Sequence, residues 1–209
     1  MSRPLVVTDC DEVLLHMVRH FREWLHTAHD VEFTLAGDPF LQSMKRRSGS
    51  QDLTEAEVWE LLGLFFDTQM ETQKPIAGAV AAITELQREA DVVILTNLID
   101  ERNAARGRQL RAVGIDAPVF TNQGSKGNAL RRIVEEHGAK RAVFIDDIAK
   151  HHQSAAETIP EVFRLHFCGE AAIAPHVPCA LAAGHAHARI DNWDEALPWI
   201  LRSLHGDNS

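Results

Sequence analysis

Four short runs rich in Val, Ile and Phe set the frame: Leu5-Val6-Val7, Val92-Val93-Ile94-Leu95, Ala142-Val143-Phe144-Ile145 and Val162-Phe163-Arg164-Leu165. Pro118-Val119-Phe120 is a weaker fifth. Apolar runs that do not alternate with polar residues suit strands covered on both faces, the condition of a parallel sheet flanked by helices. Segments of helical period separate the runs, at about 77–89, 101–113, 126–136, 149–158 and 194–204. This alternation predicts an α/β fold with a doubly wound parallel sheet.

One interval breaks the pattern. Between about 15 and 74 there is no strand run, and Met17, Phe21, Trp24-Leu25, Val58, Leu61-Leu62 and Phe65-Phe66 recur at helical spacing. Thr54-Glu55-Ala56-Glu57 has the form of a capping box. Gly37-Asp38-Pro39 breaks the stretch, and Pro75 suits the start of the helix returning to the core. The expected organisation is a core of residues 1–14 and 75–209, with a small all-helical cap of residues 15–74 inserted after the first strand.

Composition narrows the function classes. The formal charge of −9 over 209 residues argues against a general nucleic-acid binder, which needs a basic face. It leaves an anionic substrate open, because a bound cation reverses the effect of clustered carboxylates. No stretch approaches the ~20 apolar residues of a membrane span, and the first residues lack the apolar segment of a signal peptide. The expectation is a cytoplasmic protein without a membrane partner. Cys10, Cys168 and Cys179, odd in number and irregular in spacing, suggest neither a disulfide framework nor a zinc ribbon. Oligomeric state is not readable from these features.

Three of the runs end in polar residues of one kind: Thr8-Asp9-Cys10-Asp11, Thr96-Asn97 and Asp146-Asp147. In a doubly wound sheet the carboxyl ends of the strands line the ligand crevice. Parallel strands would bring Asp9, Asp11, Thr96, Asp146 and Asp147 to one edge. Four carboxylates there call for a hard divalent cation with oxygen ligands, and Mg²⁺ commonly keeps waters and a substrate phosphate in its shell. Thr96-Asn97 and Asp146-Asp147 each also read alone as a helix cap; Asp9-x-Asp11, two acids at the end of a buried strand, is costlier to keep, and the three together, in this order, are harder still to explain structurally. Lys126, in Gly124-Ser125-Lys126-Gly127 at a helix start, gains nothing from the helix dipole there. Beside a phosphate and an acidic nucleophile it has a charge to neutralise.

The ordered set resembles the four motifs of the haloacid dehalogenase superfamily. Asp9-Cys10-Asp11-Glu12-Val13 is similar to the first, Thr96 to the second, Lys126 to the third and Asp146-Asp147 to the fourth. The resemblance implies a Rossmann-like core with a cap after the first strand. Asp9 would be the nucleophile, forming an aspartyl-phosphate. Asp11 would be general acid and then base, with a raised pKa. Thr96, Asn97 and Lys126 would bind the substrate phosphoryl group, with Thr96 and Lys126 also serving catalysis. Mg²⁺ would be held by Asp9, the Asp11 backbone carbonyl and Asp147, with Asp146 binding directly or through water. An acid at Asp11 favours phosphoryl transfer over dehalogenation. Glu12 departs from the Gly that many family phosphatases carry. The implied activity is a phosphatase acting on a small phosphorylated metabolite; a phosphomutase and a non-enzymatic binding protein on the same fold stay open. A receiver domain fits less well, because there the Lys follows the paired acids.

Other features read as structural. Cys10 should pack away from the site. Lys45-Arg46-Arg47 is a solvated basic run, or a reader of substrate charge within the cap. His151-His152 is expected on a helix surface, and Gly184-His185-Ala186-His187 lacks the further ligands of a metal site. Trp24 and Trp59 are expected to pack the cap, and Trp193 and Trp199 the last helix.

Overall fold

The computed structural model describes residues 3–34, 40–49 and 51–206. Six parallel strands make the core: β1 (Leu5–Thr8), β4 (Asp91–Thr96), β5 (Val119–Thr121), β6 (Ala142–Asp146), β7 (Phe163–His166) and β8 (Ala188–Arg189). Their order is β5-β4-β1-β6-β7-β8. The chain builds outward from β1 on one side, then crosses to β6 on the other. That reversal puts a ligand crevice at the carboxyl ends of β1, β4 and β6.

The continuous apolar runs are explained by cover on both faces. Val6, Val92, Ile94, Val143 and Ile145 pack on α3 (Ala79–Glu89) and α7 (Trp193–His205). Leu5, Val7, Val93, Leu95 and Phe144 pack on α5 (Gly127–His137) and α6 (Ala149–Thr158). Helix α4 (Asn103–Ala112) joins β4 to β5. Trp193 is buried and donates Nε1–H to the Val13 carbonyl at 3.0 Å, tying α7 to the loop after β1. Trp199 packs partly buried against the same layer.

Between β1 and α3 the chain forms α1 (Val18–Ala28), β2 (Val31–Phe33), β3 (Met44–Arg46) and α2 (Glu55–Thr68). The expectation of an all-helical insertion is corrected here: β2 and β3 pair antiparallel, Phe33 facing Met44. Each strand has only three residues, too few for a visible period. Gly37-Asp38-Pro39 lies outside the described residues. The capping box forms as read: Thr54 Oγ1 accepts from Glu57 N, and Glu57 Oε2 accepts from Thr54 N at 2.8 Å. Phe21, Phe33, Phe65, Val58 and Met70 bury a cluster of their own, to which Leu98, Cys168 and Ile173 add a boundary. Trp24 packs 5.7 Å from the Phe65 ring, but Trp59 points outward, 54% exposed. The outgoing and returning strands of chain run side by side, with His16 N–H on the Lys74 carbonyl and Ile76 N–H on that of Leu14.

At Gly127 helix α5 comes close against α6. A Cβ there would lie 2.6 Å from Thr158 Oγ1 and nearer still to the Ser154 carbonyl oxygen. Only a residue without that carbon lets α5 lie so close on α6. Gly127→Ala is expected to destabilise by about 1–3 kcal/mol through overpacking. Urea denaturation checks this; an unchanged midpoint would contradict the packing described.

Candidate active site

Asp9, the residue after β1, is 6% exposed and donates its N–H to the Ile145 carbonyl at 2.8 Å. Asp146 closes β6 and is fully buried. Lys126 enters between them from the start of α5, with Nζ 2.7 Å from Asp9 Oδ1 and 2.8 Å from Asp146 Oδ2. Asp146 Oδ1 accepts from Ile148 N, so both its oxygens are used. Carboxylate oxygens of Asp9, Asp146 and Asp147 lie within 4.8 Å of one another. Thr96, 1% exposed, ends β4, and its Oγ1 has no hydrogen-bond partner among the described residues.

Charge in this pocket is unbalanced. Burial pushes the Asp9 carboxyl up to about 7, with Asp146 and Asp11 adding to the rise and Lys126 opposing it. Asp147 is pushed well up for the same reasons, burial first and then Asp146 and Asp9. Asp146 goes the other way: against its burial, Lys126 holds it low. Burial works against the Lys126 ammonium too, yet Asp146 and Asp9 keep its pKa above the ordinary lysine value. Three carboxylates thus share one ammonium. The donor set is all oxygen and the pocket is short of positive charge, so these residues fit a hard divalent cation such as Mg²⁺.

Asp11 stands beside this group in another environment. Arg106 Nη2 contacts both its oxygens, at 3.0 and 2.9 Å, and Gln73 Nε2 donates to Oδ1 at 2.8 Å. Cys10, between the two acids, is buried in the apolar layer. Asn97 is occupied with the loop before α5: its Nδ2 donates to the Gly124 carbonyl at 2.9 Å, and its Oδ1 accepts from Asn122 Nδ2. That side chain sets the path into Lys126.

The surface placement expected for His151 and His152 is corrected, as both are buried. Burial lowers the His152 pKa to about 4. The neutral ring then donates Nε2–H to the Asp146 carbonyl, at 2.9 Å. His166 supports Asp147 alike, with Nε2 at 2.8 Å from its carbonyl oxygen. Two imidazoles therefore fix the backbone of the paired acids. Sequence reading missed His166, Arg106 and Gln73. His166 ends a strand run and faced the crevice by position; nothing in the sequence marked the other two.

Glu12 takes a left-handed backbone, φ 61°, which favours glycine. Its Oε1 accepts from Met17 N at 2.9 Å and Val18 N at 2.6 Å, capping α1 and offsetting the roughly 1–2 kcal/mol cost of that backbone. Burial pushes its carboxyl up to about 8. Glu12, His16 and Glu170 also have ligand atoms within 4.8 Å of one another. Arg19 already supplies a cation there, with Nε 3.0 Å from Glu170 Oε2. Neither carboxylate cluster found among the described residues takes in His185 or His187, and His187 Nδ1 accepts from Arg164 N. Lys45, Arg46 and Arg47 each pair with an acid of the insertion, Asp52, Glu57 and Asp30.

No protein-family model matches the chain, and no curated protein matches it in sequence. Solved structures match it in fold. A conserved haloacid dehalogenase-like protein of unknown function from Agrobacterium tumefaciens aligns with a TM-score of 0.68 at 17% identity, over 96% of this chain and 98% of that one. A candidate phosphoglycolate phosphatase from Lactobacillus plantarum gives 0.63 at 16% identity, covering 95% and 99%. A candidate beta-phosphoglucomutase from Thermotoga maritima gives 0.60 at 15%, covering 95% and 99%. The chain has the haloacid dehalogenase-like fold. No described helix is long and apolar enough to cross a membrane.

Proposed function

We propose that this chain is a Mg²⁺-dependent phosphatase of the haloacid dehalogenase type, acting on a small phosphorylated metabolite. The observation that carries the reading is Lys126, buried between Asp9 and Asp146 with Asp147 alongside. A site that holds three carboxylates against one ammonium at a sheet's carboxyl edge is suited to a cation and a phosphoryl group. The unpartnered Thr96 hydroxyl supplies a donor for that group's oxygen. Asp9, Asp147 and the Asp11 carbonyl would hold Mg²⁺, with Asp146 direct or through water; when bound, the ion offsets charge on the phosphoryl oxygens.

Asp9 attacks phosphorus through a carboxylate oxygen, and the bond to the leaving oxygen breaks. That oxygen takes a proton from Asp11. A water then attacks the aspartyl-phosphate and gives its proton to Asp11; the bond from Asp9 to phosphorus breaks, freeing inorganic phosphate. Lys126 holds Asp9 in place and faces the charge that builds. Residues 15–74 act as a cap that encloses the substrate and excludes water, and residues 1–14 with 75–209 form the catalytic core.

The test is phosphate release from a panel of phosphorylated metabolites, with Mg²⁺ and with chelator. Release only with metal is expected. A phosphomutase would convert substrate while freeing little phosphate. Absence of both products, together with no Mg²⁺ binding, would place the chain among binding proteins.

A further inference from the structure

Arg106 has no place in the scheme above, yet its side chain is entirely buried. Burying a guanidinium is costly unless an anion and further acceptors meet it. Among the described residues Asp11 is the anion it pairs with. The other guanidinium arm is satisfied by two amides, with Nη1 3.1 Å from Gln73 Oε1 and 3.0 Å from Gln109 Oε1. Gln109 Nε2 in turn donates to the Met70 carbonyl and to Gln73 Oε1. The Phe66 ring lies 5.6 Å from the Arg106 guanidinium carbon.

These partners come from three parts of the chain. Asp11 follows β1, Arg106 and Gln109 lie on α4, and Gln73 lies on the segment by which the insertion returns to α3. A carboxylate free to rotate about two bonds is held by one nitrogen across both oxygens and by a second donor on Oδ1. In the proposed cycle Asp11 takes the proton of the water that attacks the aspartyl-phosphate.

We infer that Arg106 is a positioning residue for Asp11, aided by Gln73, and that the pair serves the second half of the reaction, in which water attacks phosphorus and passes its proton to Asp11. The inference rests on the phosphatase reading. It predicts that losing Arg106 slows hydrolysis of the intermediate more than its formation, wherever the leaving group needs no proton.

4-Nitrophenyl phosphate has such a leaving group. With Mg²⁺ present, Arg106→Met is expected to lower steady-state turnover about 100-fold, at the lower end of what a general base contributes. Rapid mixing should show a burst of about one nitrophenolate per protein, with phosphate trapped on Asp9, where wild type shows a smaller burst. Gln73→Met removes one donor from Asp11 and leaves the ion pair; about a 10-fold loss with a larger burst than wild type is expected. Should Arg106→Met fail to fold, the Gln73→Met burst decides. A slower variant without an enlarged burst would mean that both half-reactions suffer alike, and the positioning role falls. Unchanged turnover in Arg106→Met would also overturn it. Wild type that frees no nitrophenolate with Mg²⁺, and binds no Mg²⁺, would overturn the phosphatase reading itself and this inference with it.

Discussion

Lys126→Met is expected to lower the unfolding free energy by about 3–5 kcal/mol at pH 8, the cost of removing one partner from a buried ion pair. The ammonium is 1% exposed and touches Asp9 and Asp146, so methionine fills the space and leaves both carboxylates uncompensated. The loss should depend on pH. Burial and neighbouring acids already raise Asp9 from 3.8 to about 7. The native state binds that proton more tightly than the unfolded chain, so the stability Asp9 contributes is lost as pH rises from 3.8 through about 7. Without Lys126 the rise is greater, so the deficit should be largest above pH 7 and shrink toward pH 5. Urea denaturation at the two pH values measures it. Equal stability of variant and wild type at pH 8 would show that Lys126 is not the balancing charge. Mg²⁺ should recover part of the deficit, as a second cation for the same acids.

Asp9→Asn should behave in the opposite way. Turnover should fall by at least about four orders of magnitude, the scale seen when a covalent nucleophile is removed. Stability should stay within about 1 kcal/mol of wild type or rise, since an amide oxygen still accepts from Lys126 and one of three crowded carboxylates is gone. Phosphate release and a thermal melt read the two effects, and intact mass should show no phosphoprotein. Turnover near that of wild type would end the case for Asp9 as nucleophile. The two variants together separate charge balance from chemistry: one damages the fold and the reaction, the other the reaction alone.

The parts of this architecture legible in the sequence are those with a strong period or an expensive residue. The strands were visible because both faces of the sheet are covered, and Val6 and Val7 serve opposite layers. Asp9, Asp11, Asp146 and Asp147 were visible because carboxylates at the ends of apolar strands cost stability. The hairpin of Val31–Phe33 and Met44–Arg46 was not, since three residues show no period and their pairing is made across the chain. Arg106 was hidden among Arg102, Arg108 and Arg111; only the helix's packing decides which of these faces inward. His151 and His152 look like surface residues until α6 is laid on β6, where the Asp146 carbonyl gives His152 a partner.

The sheet order has a consequence for how this protein is made. Leu5 pairs with Asp91 on one side and Ala142 on the other, so β1 leaves the ribosome well before either of its partners. Until then Leu5, Val6 and Val7 form an apolar edge with nothing to add to it. Pairings so distant in the chain are slow to close, and such an edge is prone to join others like it. Asp9 cannot meet Lys126 and Asp146 until that closure is complete. The reactive pocket therefore cannot assemble until synthesis has passed β6, and no shorter nascent chain can carry the assembled site.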